Sequence, residues 1–306
     1  MLPGSGRFRA QAVGELLDSA FTLYRRNLRL ILAITAAVQL PLAVFGYVAY
    51  QLTGVSRASS RLQQLAGSSG PLTSQQVSDA FSSVLPYVVV AGVIALVQGL
   101  VVQPIATAAM TRAVADIYLD EPTTMGSAYR AVGQRIGAVV GVSLLLFGAG
   151  VAFLAVTGAL VVGVVLALGR GGEVLWLLII PAAIFLGIVA YTRWLFAAPI
   201  VILERTGPVD ALRRSWGLVR GSTPRIFGIM LLVGIITSIL TAIVGSLLTL
   251  LTQVGDENLR LVLNQLASLI VTVLIQPISF IVVVLLYYDV RIRREAFDIE
   301  MLASTL

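Results

Sequence analysis

Long apolar runs alternate along the chain with short segments that mix apolar and charged residues. Each apolar run reaches the roughly 20 residues that an α-helix needs to cross a bilayer. The runs predict six transmembrane helices at about 28–50, 85–118, 136–168, 174–193, 226–251 and 261–288. The pattern therefore predicts an all-α integral membrane protein, built as a single polytopic domain over residues 1–306.

The second apolar run is longer than one bilayer crossing. A straight helix over 85–118 would measure about 50 Å, whereas the hydrocarbon core is about 30 Å thick. We therefore expect its end to leave the membrane or to bend at Pro104. The preceding residues, about 52–84, are rich in Ser, Gln and Gly and predict an extracytoplasmic loop with room for one short helix.

Three mixed segments, 11–28, 122–135 and 204–225, have the spacing of amphipathic helices at a membrane surface. In the third segment, Pro208 suits the first helical position and Gly221 suits the end. Its apolar stripe consists of Val209, Leu212, Trp216 and Val219. Each segment precedes two spans, which predicts three transmembrane hairpins, each preceded by a cytoplasmic interfacial amphipathic helix.

The three predicted units share short sequence features. Aromatic residues stand at equivalent positions before the first span of each unit, at Phe21, Tyr129 and Trp216. A tripeptide with a central proline recurs in the returning spans, at 103–105, 198–200 and 276–278. These matches predict pseudo-repeats of about 8–118, 122–204 and 205–303.

Arginine is distributed unevenly between the two sides that six spans would create. All 21 basic residues are arginine, which is typical of a GC-rich and hence bacterial genome. The side that holds both termini carries 17 of the 21, and the other side carries Arg57, Arg61, Arg170 and Arg260. Because basic residues are retained in the cytoplasm, we expect a multi-pass protein of the bacterial plasma membrane with both termini cytoplasmic.

Composition narrows the chemistry that the chain can perform. It is 58% hydrophobic and only 12% charged, and it contains neither histidine nor cysteine. Imidazole bases, thiolate ligands and disulfides are therefore excluded. No glycine-rich phosphate-binding motif is present, and paired carboxylates occur only in surface segments. We expect no enzyme activity, no catalytic residue, no metal or cofactor, and no nucleic-acid partner.

Uncharged polar residues stand out within the predicted spans, where no charged residue lies deep. They are the glutamines Gln39, Gln98, Gln103 and Gln276. One interpretation is an intramembrane polar path between helices, opened by Pro41, Pro104 and Pro277. The alternative is that the amides hold neighbouring helices together and the prolines bend them.

Small residues recur every four positions in three of the spans, and such stripes let helices approach closely in lipid. The stripes are Ala91, Ala95 and Gly99; Ala155, Ala159, Gly163 and Ala167; and Gly234, Ser238, Ala242 and Ser246. We expect them to pack against other helices. The sequence leaves open whether the partner helix belongs to the same chain or to a second copy in an oligomer.

The third amphipathic segment carries the preferred binding surface. Its cationic residues are Arg213, Arg214, Arg220 and Arg225, with Trp216 as an interfacial anchor. Only Asp210 and Glu204 are expected close to these arginines, whereas the arginines of the C-terminal tail can pair with acidic residues four positions away. Uncompensated arginines would attract anionic lipid headgroups or a membrane or cytoplasmic protein partner. The alternative is that they only set the topology.

Three segments carry a resemblance to a known family: VGELLD at 13–18, ERTGPVDALRRSWGLVRG at 204–221 and LLYYDVRIRREAFDIEMLA at 285–303. They are similar to the glycerophosphoryl diester phosphodiesterase membrane-domain family of bacterial multi-span proteins. In some members this membrane region is fused to a soluble catalytic barrel that depends on histidine and metal. A chain without histidine cannot contain that barrel, so the resemblance implies a membrane region without the activity.

Two functions follow from these observations. The leading interpretation is a non-catalytic scaffold or accessory factor that binds partners or anionic lipids at the inner face of the plasma membrane. The alternative is a transporter or lipid-handling protein with an uncharged polar path between its helices. A close-packed core with a basic cytoplasmic face would favour the first, and a water-lined cavity that reaches the glutamines would favour the second.

Overall fold

The structure, a computed structural model, describes residues 11–53, 73–169, 173–254 and 257–295. These residues form eleven α-helices and one π-helical turn at Gln98–Val102. The α-helices are α1 (Val13–Arg26), α2 (Leu28–Thr53), α3 (Ser74–Val97), α4 (Gln103–Tyr118), α5 (Met125–Gly133), α6 (Ile136–Leu168), α7 (Glu173–Trp194), α8 (Ala197–Leu203), α9 (Pro208–Val219), α10 (Thr223–Leu251) and α11 (Glu257–Glu295).

Six helical segments of the described chain are long and apolar enough to cross a membrane, which confirms the predicted number of spans. They are α2, α3 with the π turn and α4, α6, α7 with α8, α10, and α11. Their bounds agree closely with the apolar runs, and α6 covers the residues predicted for the third span. The protein is therefore an all-helical membrane protein.

Two boundaries differ from the predictions. α3 begins at Ser74, so the residues expected to form a short helix inside the 52–84 loop are continuous with the helix of the second span, which itself begins at Val84. Residues 54–72 of that loop lie outside the described residues. α11 continues beyond residue 288 to Glu295 because Arg291 and Glu295 pair one turn apart and extend the helix.

The long second run changes its helical geometry close to the expected position. The backbone amide of Gln103 donates to the carbonyl of Gln98, five residues earlier, and this bond closes the π turn. Pro104 then follows at the second position of α4, where its missing amide removes a further hydrogen bond. The irregular turn therefore lies one turn before the predicted bend at Pro104.

The last span forms the centre of the bundle. In its most apolar part 56% of the residues are buried, compared with at most 22% in any other span. α11 contacts α2, α4 and α10, and α4 contacts α8. Aromatic pairs extend this core, since the Phe196 ring lies 5.8 Å from Tyr287 and the Tyr118 ring stacks 5.1 Å from Tyr288. The other spans leave large apolar surfaces for lipid.

Each of the three short helices packs against a span other than the one that directly follows it in the chain. α5 contacts α4, α9 contacts α7 and α8, and α1 contacts α11, so the beginning of the chain packs on its last span. The Tyr24 hydroxyl on α1 donates to the carbonyl of Leu274 at 2.7 Å, and the Tyr129 hydroxyl on α5 donates to the carbonyl of Ile34 at 2.5 Å. These contacts tie the short helices to spans from distant parts of the chain.

Ser215 makes the corresponding link for α9. Its fully buried hydroxyl donates to the carbonyl of Arg193 at 2.7 Å and accepts from the amide of Phe196 at 3.2 Å. These two backbone groups lie at the break between α7 and α8, where helical hydrogen bonding is interrupted. Ser215 therefore provides hydrogen-bond partners for the backbone groups at the break in the fourth span, and it fixes α9 beside that break.

Two of the small-residue stripes point away from the bundle. All four members of the α6 stripe, Ala155, Ala159, Gly163 and Ala167, are exposed, as are Gly234, Ser238, Ala242 and Ser246 of α10. These two stripes therefore do not pack within the chain, and of the two alternatives only a partner outside the chain is left for them. α6 and α10 instead bury β-branched residues such as Val142 and Val233, which place larger apolar surfaces in the core.

Candidate functional site

The short helices α1, α5 and α9 lie with the ends of α4, α8 and α11 on one side of the bundle. We call this side the arginine-rich end. Contacts across it join distant parts of the chain, and its arginines include Arg112, Arg135, Arg193, Arg205, Arg213, Arg214, Arg220, Arg225, Arg291 and Arg293. Both the preferred binding surface and most of the ion pairs lie here.

Arg214 on α9 is held by two carboxylates. Its Nε lies 3.1 Å from Glu204 Oε2, and its Nη2 donates to Glu295 Oε2 at 2.8 Å. Glu204 also accepts from the Tyr287 hydroxyl at 2.8 Å, and Glu295 accepts from Arg291 Nε at 3.1 Å. The hydrogen bond with Glu295, followed by that with Glu204, raises the pKa of Arg214 above its usual value. Arg214 is therefore an internal cation that joins α9 to α11.

Arg225 at the start of α10 has a similar internal role. Its Nη1 lies 2.7 Å from Oδ2 of Asp289, a carboxylate that is only 3% exposed. Arg293 Nε contacts the same oxygen at 3.0 Å, and the amide of Gln11 donates to Asp289 Oδ1 at 2.8 Å. Both arginines also donate to the carbonyl of Gln11 at 2.8 Å. The cluster therefore fixes the start of α1 to the ends of α10 and α11.

The expectation that only Asp210 and Glu204 lie near the preferred arginines is wrong for Arg214 and Arg225. Asp289 and Glu295 were assigned to pairing within the tail, and they do bond Arg293 and Arg291 one turn away. Each carboxylate has enough acceptor sites for a second arginine. Sequence spacing along one helix could not reveal that second partner, which comes from another helix.

Arg213 and Arg220 differ from their neighbours because they are exposed and make no ion pair within the described part of the chain. Trp216 lies between them in sequence and is 39% exposed. Its ring lies 5.7 Å from that of Trp194, and the Arg193 guanidinium lies 4.5 Å from the Trp216 ring centroid. This places an indole pair beside exposed cations, an arrangement suited to a membrane interface.

Asp116 and Asp289 are a pair of buried carboxylates that the sequence analysis did not select. They stand equally far after the prolines of α4 and α11, Pro104 and Pro277, and both are almost fully buried. Asp116 Oδ1 lies 2.8 Å from Arg112 Nη2, and Asp289 Oδ2 lies 2.7 Å from Arg225 and 3.0 Å from Arg293. The shared distance from the proline motif was the signal that could have identified them.

The four glutamines come together in the structure as one hydrogen-bonded chain between α2, the π turn, α4 and α11. Gln98 Nε2 donates to Gln39 Oε1 at 3.4 Å, and Gln39 Nε2 donates to Gln276 Oε1 at 3.0 Å. Gln276 Nε2 in turn donates to Gln103 Oε1 at 2.9 Å. Residues from the first and last predicted units are thus linked by amide bonds, which is what the helix-holding interpretation requires.

The side-chain oxygen of Gln98 takes no part in the hydrogen bonds among the glutamines. Its Oε1 is buried and has no hydrogen-bond partner among the described residues. The residue also opens the π turn, and single π turns in helices frequently occur at functional sites. A buried unpaired acceptor costs free energy, so this atom is where a water or a polar solute would gain most from binding.

The described helices hold no cluster of three or more acidic, histidine or cysteine residues suited to a metal ion. The fold, with six membrane-length helices and no soluble domain among the described residues, defines a multi-pass membrane protein. A family model described as "Domain of unknown function (DUF7847)" matches residues 12–290, and the chain belongs to this family. No curated protein and no solved structure matches the chain.

Proposed function

We propose that the protein is a non-catalytic scaffold or accessory factor that binds anionic lipid headgroups at the inner face of the bacterial plasma membrane. One observation carries the proposal: Arg213 and Arg220 are exposed beside the half-exposed Trp216, whereas Arg214 and Arg225 are only partly exposed and are paired with carboxylates of the chain. Cations without an internal partner attract an acidic leaflet by about 1 kcal/mol each. The binding surface is therefore narrower than the four arginines of the sequence prediction.

The proposal includes an orientation. With three hairpins, each preceded by an amphipathic helix in the cytoplasmic interface, both termini and the arginine-rich end would lie on the same side, and the positive-inside rule supports the cytoplasm as that side. The chain has no cysteine, so single cysteines report accessibility without a background. In intact cells Val254→Cys should react with an impermeant thiol reagent, whereas Met125→Cys should react only after lysis; both residues are exposed. Labelling of Met125→Cys in intact cells would refute the orientation.

Lipid preference tests the proposed function directly. The purified chain, exchanged into mixed micelles of phosphatidylglycerol and phosphatidylcholine, should retain more phosphatidylglycerol, counted by native mass spectrometry. Arg213→Gln with Arg220→Gln should reduce that preference. The reduction should be larger at low salt, because high salt already screens the exposed charges of the wild type. Arg260→Gln, on an exposed residue at the opposite end, is the matched control. Equal phosphatidylglycerol retention by the double variant at low salt would exclude this surface.

The glutamine chain supports a second candidate, a transporter or lipid-handling protein with an uncharged polar path. The specific observation is the unpartnered Gln98 Oε1 at the start of the π turn. If water reaches this atom, Gln98→Cys should react with a small water-soluble thiol reagent in reconstituted protein. Leu96→Cys, exposed on the same span, should stay unreactive because lipid disfavours the thiolate. An unreactive Gln98→Cys leaves the amide chain with a helix-holding role only.

The matched family carries no assigned activity, and the resemblance to the glycerophosphoryl diester phosphodiesterase family concerns its membrane region and not its catalytic barrel. We propose that the chain is not an enzyme. The purified protein should release neither phosphate nor alcohol from glycerophosphodiesters, with or without divalent metal. Turnover that survives repurification in proportion to the protein would overturn this part.

A further inference from the structure

A small polar pocket lies at the arginine-rich end, away from Arg213 and Arg220. Its volume is about 80 Å³, and its lining residues are Arg112, Ala131, Gln134, Arg135, Ile202 and Arg205. The three arginines come from the second half of α4, the link between α5 and α6, and the link between α8 and α9. Like charges repel, so three guanidinium groups around one concave site require an explanation.

The local carboxylates form ion pairs with only one of these arginines. Arg112 Nη2 lies 2.8 Å from Asp116 Oδ1 and 3.6 Å from Glu121 Oε2. Arg135 Nη1 instead donates to the backbone carbonyl of Arg205 at 2.9 Å. Neither Arg135 nor Arg205 forms an ion pair within the described residues, and three arginines face two carboxylates, so the pocket keeps a net positive charge.

The backbone at the pocket is held in an uncommon conformation. Arg205 has φ of 55°, in the left-handed region that residues with a Cβ rarely adopt. The bond from Arg135 to the Arg205 carbonyl contributes to holding this turn in place. The next residue, Thr206, has a buried hydroxyl without a hydrogen-bond partner among the described residues. The segment thus carries strain and an unused donor next to the arginines, as ligand-binding turns often do.

We propose that this pocket binds one phosphate group, carried by a lipid headgroup or free in the cytoplasm. Guanidinium groups bind phosphate oxygens through paired N–H donors, and Gln134 can add an amide donor. The volume suits a single phosphate and excludes a whole phospholipid, whose acyl chains would remain outside. The inference rests on the proposed function for its cytoplasmic setting, and it assigns a specific ligand group to a different set of residues.

Binding of inorganic phosphate and of phosphatidic acid tests the pocket. If the ligand is free phosphate, the purified full chain in phosphatidylcholine nanodiscs should bind inorganic phosphate in calorimetry. If the phosphate comes from a lipid, the chain should instead bind phosphatidic acid, in nanodiscs that contain this lipid. Arg205→Gln should weaken either binding roughly tenfold or more, since a charge-assisted hydrogen bond is lost. This side chain makes no bond to the rest of the described chain, so the variant should fold; Arg135→Gln also removes a structural bond.

Arg213→Gln with Arg220→Gln separates this inference from the proposed function. That variant should bind phosphate in the pocket as the wild type does while it loses the general preference for phosphatidylglycerol. Arg205→Gln should lose phosphate binding in the pocket while it keeps the general preference for phosphatidylglycerol. Absence of binding of both probes to the wild-type chain, or unchanged binding by Arg205→Gln, would overturn the phosphate site and leave the proposed function standing.

Discussion

The carboxylate of Asp289 accepts a 2.8 Å hydrogen bond from the backbone amide of Gln11, so the two ends of the described chain meet at one point. The bond reinforces the packing of α1 against α11. Arg225 and Arg293 reinforce it, because each contacts both the Asp289 carboxylate and the Gln11 carbonyl. This single buried carboxylate therefore organises the start of the chain, the fifth span and the last span.

Asp289→Asn should lower the stability of the protein. The variant leaves Arg225 and Arg293 without their counter-charge, and removal of one partner from a fully buried ion pair costs about 3–5 kcal/mol. The two arginine side chains are 30% and 38% exposed, so we expect a smaller loss of roughly 2–3 kcal/mol. Thermal unfolding in detergent measures the change. Asp79→Asn, at an exposed aspartate of α3, is the control that should unfold like the wild type.

The pH dependence of stability should report on the Tyr129 hydroxyl. Burial raises the pKa of Tyr129 from 10.0 to about 12. Because the folded-state pKa is above the ordinary value, the stabilisation is present below about pH 10 and is lost as the pH rises toward about 12. Tyr129→Phe should therefore lose less stability than the wild type between these pH values. Burial raises the pKa of Tyr24 as well. The fall of stability with rising pH should therefore be smaller in Tyr129→Phe than in the wild type, but not zero.

At neutral pH the same variant should be slightly less stable than the wild type. It lacks the hydrogen bond from Tyr129 to the Ile34 carbonyl, a loss of about 0.5–1.5 kcal/mol. Chemical unfolding at pH 8 and at pH 11 measures both effects in one series. An equal stability loss in wild type and variant over that range would contradict the assignment.

The sequence predicted the membrane class and the span boundaries well because these depend on local properties. Twenty consecutive apolar residues have few alternatives to a membrane helix, and capping residues fix the short helices between them. Thr124, for example, accepts a hydrogen bond from the amide of Ser127 and so caps the start of α5. The glutamines could also be selected, since amides are conspicuous among apolar residues.

The partners of the arginines could not be predicted in the same way. Whether Arg214 is free depends on Glu295, which lies 81 residues away, and on how α9 crosses α11. Spacing rules describe neighbours along one helix, whereas these bonds connect different helices. The predicted α9 stripe is divided in the structure: Val219 is buried together with Ala211 and Ser215, which were not assigned to it, whereas Val209 remains exposed. A helix at a membrane surface can present apolar residues to lipid as well as to protein.

Gly221 should not tolerate a side chain. It joins α9 to α10 with φ of 88°, and a Cβ placed there would lie 2.6 Å from Arg294 Nη2. Gly221→Ala should destabilise the protein by about 1 kcal/mol or more, because alanine is strained in this region and Arg294 must move. Gly217→Ala is the matched control on α9, where an added Cβ meets nothing within 4 Å. A melting temperature equally high in both variants would show that the turn can relax.

Gln276 is the central member of the glutamine chain, since it accepts from Gln39 and donates to Gln103. Gln276→Leu should leave both partners without their bond, and interhelical hydrogen bonds in membranes contribute about 0.6 kcal/mol on average and up to about 2. We therefore expect a loss of roughly 1–3 kcal/mol in detergent unfolding. Gln253→Leu, at an exposed glutamine beyond α10, should have little effect.

A double-mutant cycle with Gln103→Leu isolates the bond between Gln276 and Gln103 from the other consequences of each change. If the amides hold α4 against α11, the double variant should lose less stability than the sum of the two single variants, because the second substitution removes a bond already broken. Strict additivity would mean that the 2.9 Å contact contributes nothing to the fold. The glutamines would then have to be explained by what passes between the helices, in favour of the polar path.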